Sequence, residues 1–252
     1  MTNLLLFVAA PAVVLLIAAV VVGFGLAARR AKSEGDPSPV VKTTLVVAAG
    51  WAGISTIGAL VALLVPLLSP SVEVTVPTRE FWPELPEGME IEGMSARIEG
   101  GGFTSATLAL TDLSVPARIL IGLGGVFAWL VPGAVATLLA VACFQLLAGR
   151  AFAPVVARVT MTTAVIVAVG GIATQVLGDI GASIAASEAL RWSGAAYPDV
   201  PGIDHPLTAW WPAPALLIEL PFWPLAAGLG LAALAAVFRY GSVLQRDTEG
   251  LV

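Results

Sequence analysis

The chain has 252 residues, 58% hydrophobic and only 12% charged; soluble domains carry about 25% charged residues, so a water-soluble fold that covers its surface is excluded, whereas a lipid-facing surface is apolar by necessity. The one cysteine, Cys143, excludes an intrachain disulfide and a cysteine-rich metal site. The net charge of −5 acquires meaning only when it is divided between two membrane faces.

A spanning helix needs about 20 mostly apolar residues, and five segments supply them. The expected fold class is therefore all-α: a five-helix transmembrane bundle with a small β-rich extracytoplasmic loop domain. The first helix occupies 1–28 and has no charge between residues 4 and 28. No basic residue precedes it, and it exceeds the roughly 7–15 apolar residues of a signal peptide, so it is read as a retained helix. A cytoplasmic loop at 29–42 leads to the second helix at 43–68.

The outer loop at 69–118 follows. Val72, Val74 and Val76 alternate with Glu73 and Thr75, the period of a strand. Residues 89–98 and 103–111 flank Glu99-Gly100-Gly101-Gly102, which predicts a hairpin with a glycine turn. The third helix at 119–147, a cytoplasmic turn at 148–158 and the fourth helix at 159–184 come next. A second outer loop at 185–212 carries Trp192, Trp210 and Trp211, which suit the membrane–water interface. The fifth helix at 213–240 takes Pro221 and Pro224 inside it, and a cytoplasmic tail at 241–252 ends the sequence. The two hairpins, helices two–three and four–five, share one orientation, a repeat of topology without matching residues.

Lys and Arg assign the faces. Arg29, Arg30, Lys32, Lys42, Arg150, Arg158, Arg239 and Arg246 fall on one side, against Glu34, Asp36, Asp247 and Glu249. The other side holds only Arg79, Arg97, Arg118 and Arg191 against a large excess of acids. The basic side is expected to be cytoplasmic, which puts the N-terminus outside and the C-terminus inside.

Three stretches resemble a known family. They are the turn Leu146-Leu147-Ala148-Gly149-Arg150-Ala151-Phe152-Ala153-Pro154 with Val156-Ala157-Arg158, the stretch Phe238-Arg239-Tyr240-Gly241-Ser242-Val243-Leu244-Gln245-Arg246-Asp247, and the ending Thr248-Glu249-Gly250-Leu251-Val252. Together they are similar to the bacterial membrane protein family "domain of unknown function 2975". Its members have four spans, a short "G-x-x-F" cytoplasmic turn and an "F-x-x-G-x-x-L" tail. The resemblance covers about 42–252, so the first helix is an addition to the pattern. It implies a multi-pass protein of the bacterial plasma membrane with no established activity. Genes of the family often stand beside one for a small helix-turn-helix regulator, which implies that the membrane protein binds that regulator in the cytoplasm. Direct contact with nucleic acid is not expected.

Read on their own chemistry, the same stretches predict a capped turn. Gly149 is placed to end the third helix and Pro154 to open the next. Arg150, Phe152, Arg239, Leu244, Arg246, Leu251 and Val252 are the candidate partner-docking residues. The plainer alternative is a tight turn with basic anchors on lipid phosphates and a frayed, solvated tail.

No catalytic constellation, metal cluster or cofactor motif is present: there is no Gly-x-Ser-x-Gly, no His-Glu-x-x-His and no phosphate loop. Asp204-His205, in the outer loop, is read as an ordinary loop pair, and Ser55 as bonded to its own helix backbone. A non-enzymatic protein is expected. Asp179 and Glu219 are the candidate intramembrane polar site, with Gln175 and Ser183 completing a stripe at i, i+4 and i+8. Asp179 lies 21 residues after Arg158 and Glu219 lies 20 before Arg239. At helical rise that is about 30 Å for each, near the outer surface. Such carboxylates support a small-molecule or ion transporter as the alternative function; the plainer reading is a structural polar cluster, or two carboxylates wetted by the outer interface and partnered by Arg118 or Arg191. Gly50, Gly53, Gly58, Gly170, Gly171, Gly178, Gly228 and Gly230 serve helix packing or homo-oligomer formation equally well.

Overall fold

The computed structural model describes residues 38–85, 92–93, 95–96, 99–196 and 206–249. Five helices and one sheet lie there: α1 (Ser38–Leu68), β1 (Ser71–Phe81), β2 (Phe103–Thr111), α2 (Val115–Leu147), α3 (Pro154–Leu190), α4 (Pro206–Trp210) and α5 (Trp223–Glu249). Four of them are long and apolar enough to cross a membrane: α1, α2, α3 and the stretch Trp223–Val243 of α5. The fold among the described residues is therefore a mostly helical, membrane-embedded one with a small sheet. The first apolar segment, residues 4–28, lies outside the described residues, as does His205.

The long helices outrun their apolar windows. Helix α3 has 37 residues, about 55 Å at helical rise, against a hydrocarbon core of about 30 Å. Hydropathy marks the lipid-buried stretch, but good helix formers such as Ala189 and Leu190 carry the helix further.

Two corrections concern the remaining elements. The hairpin pairs β1 with β2, antiparallel, from Ser71↔Thr111 to Phe81↔Phe103, with an irregularity after Pro77. Residues 89–98, expected to be the partner of 103–111, fall largely outside the described set. The alternating valines identify β1, and its inward residues need an inward partner row, which β2 supplies with Ala106, Leu108 and Leu110. The second correction is to the fifth segment. Residues 213–221 are not helical, and α5 begins only at Trp223. Pro221 and Pro224 stand three residues apart. A helix through both would lose two N–H donors and suffer two ring clashes with carbonyls one turn earlier. Placed instead in the first turn, Pro224 forfeits only a donor that has no intrahelical partner there.

The chain divides into two compact units. One comprises Ala59–Ala128 and Ile172–Pro221. Its core is Val72, Val74 and Val76 of β1 packed with Leu113, Ala117, Ala185, Ala186 and Leu190. The guanidinium of Arg118 donates to the carbonyls of Leu113 (2.9 Å), Pro66 (2.9 Å), Ser69 (2.7 Å) and Pro70 (3.4 Å). Three of these lie at the end of α1, Pro66 in its last turn and Ser69 and Pro70 just beyond; the last carbonyls of a helix have no helical partner, so a cation there is favoured. Of the two arginines weighed as partners of the membrane carboxylates, Arg118 or Arg191, Arg118 thus holds backbone carbonyls. Gly124 lets two backbones meet: a Cβ there would lie 3.0 Å from the Gly178 nitrogen. In the same unit the Glu188 carboxylate accepts the Ser114 N–H at 3.0 Å, at the start of α2.

The other unit comprises Met1–Gly58, Trp129–Gly171 and Phe222–Val252, in their described parts. Here α5 meets α3 through Gly228, where a Cβ would lie 2.7 Å from that of Ala168, and through Pro224 against Gly171. Gly58 accommodates the Trp129 ring. Thr43, Thr44, Thr137 and Thr160 each donate to the carbonyl four residues back. Ser55 departs from that habit: its Oγ is buried, faces Gly133 and finds no partner among the described residues.

Candidate functional site

Two constellations need explanation: the polar stripe of α3 and the turn between α2 and α3.

The stripe holds a piece of non-helical backbone. Residues 216–220 form a non-helical strap whose side chains are exposed, Leu216 at 77% and Leu220 at 60%. Such backbone beside lipid must have its N–H and C=O groups satisfied. Ser183 Oγ accepts the Leu217 N–H at 3.3 Å and lies 3.4 Å from the Leu217 carbonyl, to which it donates. Asp179 Oδ2 accepts the Glu219 N–H at 2.8 Å. The match has a geometric cause. Four residues of helix rise about 6 Å and two residues of extended chain about 6.6 Å, so the i, i+4 stripe reads alternate residues of an antiparallel strap. The next position would be 221, a proline with no N–H. Gln175 instead donates Nε2 to Asp179 Oδ1 at 2.8 Å.

All four candidate residues are thus brought together, but not as expected. Glu219 is not in a helix, and it contributes its backbone; its side chain is exposed. Both oxygens of Asp179 already hold a donor. The residues just before the strap continue the sheet, with Pro214 bridged to Thr78. Arg79 N–H bonds the Ala213 carbonyl at 2.9 Å and Ala215 N–H the Pro77 carbonyl at 3.2 Å. Trp211 Nε1 donates to the Leu190 carbonyl and Trp210 Nε1 to that of Glu84. Two of the predicted interfacial indoles therefore also fasten the chain just before the strap.

The α2–α3 turn is closed as its sequence predicts. Gly149 has φ +71°, and its N–H bonds the Leu146 carbonyl while that of Arg150 bonds the Gln145 carbonyl. This is the paired helix ending that requires a left-handed residue, which glycine adopts without strain. Ala153 N–H returns to the Arg150 carbonyl, and α3 opens at Pro154.

The turn so closed sets Phe152 against α5. Its ring lies 6.4 Å from that of Phe238, tilted by 56°. It also covers Gly241, where a Cβ would fall 2.5 Å from Phe152 Cδ1. Phe152 remains 41% exposed. Past Leu244 the sequence of α5 turns polar, Gln245-Arg246-Asp247-Thr248-Glu249, yet the helix runs to Glu249. Gly241 costs that helix about 1 kcal/mol relative to alanine, and Ser242 adds a hydroxyl that bonds the Arg239 carbonyl at 2.7 Å instead of solvent. Of the candidate docking residues, Phe152 is shown in contact with α5. Arg150 and Arg239 lie in the turn and on α5, and the side chains of Leu244 and Arg246, with Leu251 and Val252 entire, fall outside the described set. Sequence reasoning missed the Phe152–Gly241 seat; the signal was the spacing Phe238-x-x-Gly241, which puts both residues on one helix face.

No protein-family model matches the chain, and the curated proteins and solved structures give no match either.

Proposed function

We infer that this chain is a non-enzymatic regulatory membrane protein that binds a cytoplasmic helix-turn-helix regulator. Its docking face is the α2–α3 turn together with the extension of α5. The observation that carries the reading is the seat of Phe152 on Phe238 and Gly241. It unites two of the three stretches in which the family resemblance resides, and it stands where α5 runs on into the polar residues 245–249. Arg150, Arg158 and Arg239 around this seat support a cytoplasmic position for it. Leu244, Leu251 and Val252 supply apolar anchors, each worth about 1.5–3 kcal/mol when buried. Two or three, with polar help, reach the roughly 8 kcal/mol of a micromolar complex.

The alternative, a small-molecule or ion transporter, would use Asp179 and Glu219. The two hydrogen bonds that Asp179 accepts support a role in holding the strap. The docking reading is tested by capture of the neighbouring regulator in mild detergent. Full-length protein should retain it and a chain ending at Tyr240 should insert normally and lose it. Equal capture by both would move docking elsewhere, and no capture by the full-length chain would overturn the reading.

A further inference from the structure

We propose that Phe152 is a latch: it keeps α5 helical across Gly241-Ser242, so that movement of the α2–α3 turn decides whether the tail is presented as a helix. The proposal deepens the docking reading and rests on it for its purpose, though not for its test. Three observations meet at one point. Gly241-Ser242 is a weak step in a helix, since glycine–serine pairs are where helices kink or break. That step lies between Arg239 and the polar run Gln245-Arg246-Asp247-Thr248-Glu249, where charged side chains belong to water and headgroups, so lipid gives the helix little support beyond it. Phe152 covers that same step, close enough that any side chain at 241 would meet its ring.

Phe152 is also set up to move as part of its turn. It follows the Gly149 ending directly and precedes Pro154, so no helix of its own contains it. Its position is therefore governed by how α2 ends and α3 begins. A shift of either helix end withdraws the ring, exposes Gly241 to water and leaves residues 242–249 to fray. A partner that reads a helix then loses its ligand without any change in the tail's own sequence.

Hydrogen exchange of the full chain in lipid nanodiscs tests this without any partner. Phe152→Ala should speed exchange of the amides at 242–246 roughly tenfold, the size expected when local opening becomes easier by one contact, and leave the middle of α5 unchanged. Gly241→Ala added to Phe152→Ala should slow those amides again, because alanine restores the helix and the ring is no longer there to clash. Gly241→Ala alone should speed exchange at 151–156, where the displaced ring loosens its turn. If Phe152→Ala fails to accumulate, Phe152→Leu, which keeps part of the contact, should give a smaller acceleration of the same amides. Unchanged tail exchange in Phe152→Ala overturns the latch, as does an acceleration that Gly241→Ala does not reverse. Loss of the docking reading with this exchange pattern intact would leave the latch standing.

Discussion

The carboxylate of Asp179 accepts the backbone N–H of Glu219 at 2.8 Å, whereas the carboxylate of Glu219 itself stays exposed. Two acids that the sequence places at one depth thus have different tasks. Replacing Asp179 by alanine leaves a strap N–H without a partner and should lower stability by about 1–3 kcal/mol. Asp179→Asn keeps an acceptor oxygen and should cost less, and Glu219→Gln should leave stability unchanged. Denaturation midpoints in mild detergent distinguish the three. A loss as large in Glu219→Gln as in Asp179→Ala would reject the strap account.

Arg118 gives a second test. It gathers four carbonyls, including those at the exit of α1. Arg118→Ala should destabilise by roughly 2–3 kcal/mol, since hydrogen bonds to charged groups are worth about 1.5–3 and several carbonyls lose their donor together. Arg118→Lys should recover only part, because one ammonium cannot span the same fork. The same midpoint measurement decides.

A glycine pair offers a third. A Cβ at Gly228 would crowd Ala168 and the Ala164 carbonyl, while one at Gly230 meets nothing within 4 Å among the described residues. Gly228→Ala should cost about 1–3 kcal/mol through overpacking. Gly230→Ala should gain about 0.4–1 kcal/mol by restricting the unfolded chain. Opposite signs from neighbouring positions of one helix are the expected outcome in thermal unfolding.

Much of this fold is legible in the sequence, and the illegible parts share a cause. Apolar length marks α1, α2, α3 and most of α5, because lipid imposes a length requirement that composition records directly. Gly149 and Pro154 mark their turn because each has a conformational preference that few contexts overrule. The strap was not legible: residues 213–221 are as apolar as a span, and hydropathy is blind to backbone geometry. Its signal lay in Pro214, Pro221 and Pro224 taken together with Ser183 and Asp179 spaced for an extended partner. The glycines also divide. Gly228 and Gly171 pack closely, while Gly50 and Gly53 meet nothing among the described residues, and no single helix sequence distinguishes the two cases because the difference resides in the neighbour.

Sidedness yields a fourth prediction. A reporter active only in the cytoplasm, fused after Val252, should work, and the same reporter inserted at Gly100–Gly102 should be silent. The split of basic residues between the two faces motivates the expectation. The reverse pattern would place the Phe152 seat outside the cell and remove the docking reading with it.

The most direct measurement of the docking account is photo-crosslinking in living cells. A photoreactive phenylalanine replaces Leu244 in one strain and the exposed Thr104 of β2 in another. Position 244 should capture the neighbouring helix-turn-helix regulator, position 104 should not, and Phe152→Ala should weaken the capture at 244. Crosslinks from 244 to lipid alone, or equal capture of the regulator from 104, would contradict the account.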